Sequence, residues 1–131
     1  MPEPRGSAVS WRRLKRLTLV STREPGRSLK VYRARSFQDR LVGLLGTKHP
    51  PEANEALMLS PAGSVHTIGM RYPLTLVYLA ADWRVLAIHP AIPPGRVIRA
   101  PRGAGHCLEM NPAPVWCPTA GEQLQEAMTP P

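Results

Sequence analysis

LTLVYLAADWRVLAIHP, residues 74–90, is the stretch whose reading decides the fold class. Its first seven residues are almost continuously apolar, the pattern of a central strand buried on both faces. The AADW turn leads into RVLAIHP, and the separation and composition of the two runs suit a β-hairpin. Just ahead of the hairpin stands SVHTIGMRYP, residues 64–73. There VHTI reads as a short strand interrupted by Gly69, with Gly69 expected to allow a bulge before the buried run. His66 is thus expected where a strand emerges from the core, beside a shallow cleft.

The flanking segments carry the same short-element character. LKVYRA (29–34) and GHCLEM (105–110) alternate apolar and polar residues, as half-buried strands do, and EALMLS (55–60) reads as a strand ended by the turn PAGS. SFQDRLVGLLG (36–46) reads as one helix. Ser36 is expected as its N-cap, with Asp39 at the third helical position. Phe37, Leu41, Leu44 and Leu45 form the expected buried stripe, and Gly46 is placed to close the helix. Gly43, inside that helix, calls for close packing against a neighbour. AIPPGRVIRAP is a proline-rich crossover, and PTAGEQL a tight turn into a last short strand. The chain holds 16 prolines; proline cannot donate to a ladder or sit inside a helix, so a helical bundle is disfavoured. The expected fold is mostly β: a small barrel-like or sandwich domain of six to eight short strands with one short capped helix.

The length of 131 residues suits one domain with a core of its own. The formal charge of +8 is uneven: residues 1–50 hold 12 Lys/Arg against 3 Asp/Glu, and residues 51–131 hold 5 against 6. The expected organisation is a basic, flexible arm over 1–27, a domain over 28–127 and a tail over 128–131. Within the arm, SWRRLKRLTLV can be read as an amphipathic basic helix, a disordered arm or a first strand, LTLV. A solvated tail is the preferred reading of its charge. Non-specific binding to nucleic acid or an anionic membrane is the alternative, with Trp11 among Arg12, Arg13, Lys15 and Arg16 able to stack on bases. Two cysteines make no disulfide framework. With no apolar span of membrane length and no secretory signal, a cytoplasmic protein is expected.

Taken together, FQDRLVGLLG, HTIGMRYPLTLVYLAADWRVLAI, the Leu-Glu of CLEM and the late TAGEQL resemble the domain-of-unknown-function family 192 from about Val31 to Leu124. The resemblance implies a compact, mostly β, barrel-like domain with one helix, and no established activity. Some relatives are encoded near type IV pilus assembly genes, which implies an association and no mechanism. The chain departs from the family pattern at Thr75, where aspartate is usual, at Met110–Pro114, and at Gly121-Glu122, where Gly-Asp is usual. If the usual aspartate only bonds nearby backbone, a threonine hydroxyl can partly substitute.

The candidate site residues are Arg40, His66, Met70, Arg71 and Glu109, read as lining a shallow pocket suited to a small anion or carboxylate. The competing structural reading, preferred for Arg40 and Glu109, is a half-buried ion pair. Cys107, His66 and Glu109 supply the residue types of a thiol, base and orienter, so a small hydrolase or transferase is the rival function. Against it, an apolar-flanked strand cysteine usually behaves as a small core residue. No metal site is expected: His49, His66, His89, His106, Cys107 and Cys117 show none of the local spacings of zinc ligands, and His106 and Cys107 face opposite ways on one strand. No cofactor is expected, and the favoured function is a non-catalytic binding or accessory module.

Overall fold

The computed structural model describes residues 10–128, without the side chains of Phe37, Gln38 and Leu41. Nine strands and one short helix follow in order: β1 (Lys15–Ser21), β2 (Ser28–Ala34), α1 (Phe37–Val42), β3 (Glu55–Leu59), β4 (Val65–His66), β5 (Leu74–Ala80), β6 (Val85–Ile92), β7 (Val97–Ile98), β8 (Ala104–Met110) and β9 (Leu124–Glu126). Seven strands form one sheet in the order β6-β5-β8-β3-β2-β1-β9, and β4 pairs with β7 in a two-residue ribbon. Neighbouring strands run antiparallel except β2 and β3, which are parallel and joined by the crossover that carries α1. The sheet curls into a half-barrel, and its two edges meet at one end. There Val85 N–H donates to Glu122 O (2.9 Å), Gly121 N–H to Val85 O (2.8 Å) and Leu124 N–H to Trp83 O (3.2 Å).

Strand alternation sorts the side chains into two cores. Leu17, Leu19, Val31, Met58, Val77, Leu79, Leu108 and Met110 fill the inside of the half-barrel. Their neighbours Tyr32, Leu57, Leu59, Leu76, Tyr78 and Cys107 point to the other face, where Trp11, Leu44, Val65 and Tyr72 cover them. Both faces of β5 and β8 are therefore buried, which is why LTLVYLA is almost continuously apolar rather than alternating. Pro90 falls on β6, an edge of the sheet, where a missing ladder donor is tolerated. Opposite it the register jumps from Leu74↔Ile92 to Leu76↔His89, a bulge, and the buried Thr75 Oγ1 accepts the Ala91 N–H there (3.1 Å).

Three sequence readings are corrected. First, the domain begins before residue 28. Trp11–Arg13 form a 3₁₀ turn, and Lys15–Ser21 form a strand between β2 and β9. Trp11 is buried edge-on against Tyr32, with ring centroids 5.1 Å apart, so its ring is no open platform for base stacking. Arg12 is held by Glu55 through Nε and Nη2, and Arg13 by Asp39 at 2.8 Å. Of the expected arm, residues 1–9 lie outside the described residues.

Second, α1 ends at Val42, not near Leu45. Ser36 caps it as expected, accepting the Asp39 N–H at 3.0 Å. Gly43 is the C-cap at φ +48°, not an interior residue, and Gly46 lies beyond in a later turn. Leu44 is consequently buried while Leu45 is exposed; the side chains of Phe37 and Leu41, the rest of the expected stripe, lie outside the described ones. Third, Gly69 makes a turn rather than a bulge. Met70 N–H donates to Thr67 O (3.1 Å), and Gly69 takes φ +83° at the third position, the geometry of a type II turn.

Candidate functional site

β8 sets the floor of the site. Its alternation sends His106, Leu108 and Met110 one way and Cys107 and Glu109 the other, so Glu109 lies on the outer face beneath the end of α1. Across the ladders it is opposite Leu57 of β3 and Leu76 of β5. A Cβ added at Gly43 would stand 3.4 Å from Glu109 Oε1 and 3.9 Å from Leu57. The chain leaves α1 at this point because glycine alone accepts both the positive φ and the approach. The close contact expected of Gly43 is thus real, although it arises at the helix end.

The opposite wall is the β4 segment. Thr67, fully buried, ties it to the proline-rich crossover: its hydroxyl accepts the Arg96 N–H (2.9 Å) and donates to Pro93 O (2.8 Å). This anchoring turns Val65 inward and leaves His66 exposed at the rim, opposite Val97 of β7. Between the two walls lies a cavity of about 130 Å³, lined by Arg40, Gly43, Leu44, Leu59, Val65, His66, Met70 and Glu109 among others.

The structure therefore brings Arg40, His66, Met70 and Glu109 to one cavity, while Arg71 is exposed and outside its lining. Arg40 and Glu109 do not form the expected ion pair. Arg40 Nε and Glu109 Oε1 are both buried and both without a hydrogen-bond partner among the described residues. Burial alone pushes the Glu109 carboxyl up to about 7, since the charged form loses hydration with nothing to replace it. Gly43 carries the chain over the carboxylate, and Arg40 and Glu109 line the same cavity without meeting. Gly43, Leu44, Leu59 and Val65 were not among the predicted site residues. The glycine within the leucine-rich run was the one signal that pointed to them.

The thiol–imidazole–carboxylate set is not assembled. Cys107 is fully buried in the outer core, and burial raises its thiol well above the ordinary value, aided by the neighbouring Glu109. Its sulfur lies 3.9 Å from the Leu108 carbonyl and beside Tyr78, whereas His66 lies exposed on a ribbon separate from the main sheet. His106, on the other face, bonds Ser60 through Nδ1 (2.6 Å) and stacks on Trp83 with centroids 4.4 Å apart. Burial and the Arg33 charge lower its pKa. No group of three or more His, Cys, Asp or Glu side chains among the described residues could hold a metal ion. No helix among them is long and apolar enough to cross a membrane.

No curated protein matches this chain. Two solved structures share the fold. One is a candidate transcription regulator from Sinorhizobium meliloti 1021, 18% identical, with a TM-score of 0.68 over 85% of this chain and 92% of that one. The other is a protein of unknown function from Novosphingobium aromaticivorans DSM 12444, 16% identical, with a TM-score of 0.66 over 84% and 83%. At these identities the likeness is one of fold. The family profile described as uncharacterized ACR matches residues 18–115, starting within β1 and spanning α1, the hairpin and β8, and the chain therefore belongs to the domain-of-unknown-function family 192.

Proposed function

We propose that this domain is a binding module without catalysis of its own, and that its site is the cavity between the end of α1, the β4 segment and Glu109. The observation that carries this reading is the unpartnered Glu109 oxygen on the floor of that cavity. A buried polar group left without a partner costs about 1–3 kcal/mol, and buried polar groups are nearly always satisfied. A ligand that bonds Glu109 and Arg40 removes that cost on binding. The Cys107 environment supports a binding role over a nucleophilic one, because attack requires an accessible thiolate. The ion pairs of Arg12 and Arg13 and the burial of Trp11 leave a polyanion-binding arm with less support.

The test is an amide NMR titration of the full chain with small carboxylates, amides and amines. Binding in the cavity shifts Gly43, Val65, His66 and Met70 together. Shifts confined to other surfaces, or none at all, would rule the cavity out as the site.

A further inference from the structure

Resting on that reading of the cavity, we propose that its ligand is a small aliphatic monocarboxylate. One ligand oxygen accepts the Arg40 Nε–H, the other accepts the O–H of a protonated Glu109, and the aliphatic end lies against Leu44, Leu59, Val65 and Met70. Size is the first argument. A volume of about 130 Å³ lies below the roughly 300 Å³ at which drug-sized pockets begin. It is close to the roughly 150 Å³ of an apolar cavity that takes benzene. A chain of about four carbons bearing one polar end is of that order.

The polar groups give the second argument. Among the described residues two buried groups lack partners here, a guanidinium N–H and a carboxyl oxygen. An amine would satisfy Glu109 but would stand beside Arg40 with nothing to offer its N–H. A carboxylate satisfies both groups, provided Glu109 carries the proton between the two acids. The unusually high affinity of Glu109 for a proton, caused by burial, suits that requirement.

The groups that face Glu109 from the packed elements are the Arg40 guanidinium from α1, the His66 imidazole from β4, Tyr72 ahead of β5, Tyr78 of β5 and Cys107 of its own strand. From β3 only Leu57 faces it. Burial raises both tyrosines and the thiol, so they stay neutral through the range in which Glu109 titrates.

Binding is therefore coupled to the uptake of one proton. Isobutyrate is the probe, with isobutyramide and isobutylamine as near-isosteric controls, followed by NMR on the full chain from pH 6 to 9. The expected result is that isobutyrate binds and that its affinity falls about tenfold per pH unit above about 7. In Glu109→Gln, whose amide N–H replaces the acid O–H, binding persists and that slope disappears. In Arg40→Met binding is lost, and in His66→Gln the slope is retained. Isobutylamine binding that strengthens with pH, or isobutyramide binding in preference to isobutyrate, would overturn the carboxylate assignment and leave the cavity as the site. An unchanged slope in Glu109→Gln would overturn it as well. If none of the three probes moves Gly43, His66 and Met70, the binding reading of the cavity fails with it.

Discussion

Replacing Glu109 by glutamine tests the electrostatics of the site without any ligand. The amide keeps the shape and hydrogen-bonding capacity of the acid and removes its titration. In the folded chain burial holds the carboxyl at about 7, above its ordinary value of 4.5. Unfolding therefore releases the proton at any pH between those values, and stability falls as pH rises through that window. Below 4.5 the group is protonated in both states, and above 7 the penalty is constant. At about 1.4 kcal/mol per unit, the interval from 4.5 to about 7 amounts to about 3 kcal/mol. The other groups are common to both proteins, so Glu109 is read from the difference between them. Urea unfolding of the two proteins at several pH values from 4 to 8 is expected to show the wild type losing about 3 kcal/mol relative to Glu109→Gln, with the change complete by about pH 8. A difference that does not vary with pH would mean that the carboxylate is ionised when folded, held by a partner such as Arg40, and would refute the unpaired floor.

Three further outcomes follow from the packing. Deleting residues 1–27 removes β1, including Leu17 and Leu19 of the inner core, and exposes an edge of β2; the product is expected to lose the dispersed amide spectrum of a folded domain, and a natively folded product would contradict the placement of β1. Thr75→Val leaves the Ala91 N–H in the β6 bulge without its acceptor and is expected to cost about 1–2 kcal/mol in chemical denaturation; a neutral result would show that the bulge does not depend on the hydroxyl. A thiol reagent at neutral pH is expected to label the half-buried Cys117 and to reach the fully buried Cys107 only with denaturant. Rapid labelling of native Cys107 would revive the nucleophile hypothesis.

Thr75 also shows what a departure from the family pattern means physically. The resemblance places an aspartate there, for which a threonine hydroxyl can partly substitute if that aspartate bonds nearby backbone. In the fold the side chain is buried and bonds backbone, accepting from Ala91 N–H and lying 3.5 Å from Pro112 O. That is a bond either residue's oxygen can accept, which fits a structural reading of the position.

What the sequence determined by itself is what depends on near neighbours. The hairpin of β5 and β6, the Ser36 cap and the Thr119–Glu122 turn all follow from local periodicity and backbone preference. Each lies close to where those preferences place it. The pairing of charges depends on distances between segments far apart in the chain, and there local pattern is silent. Arg40 and Glu109 looked like a pair because opposite charges at half-buried positions usually meet. Only the tertiary structure stops α1 at Gly43, lays the backbone over Glu109 and leaves Arg40 and Glu109 lining one cavity without pairing. The same holds for β1: its basic residues read as a solvated arm, yet the partners that order it, Val31 and Leu29 on β2 and Leu124 on β9, are supplied by other strands. A strand buries its apolar face only when the rest of the sheet is present to receive it, so its membership is decided by the assembled barrel.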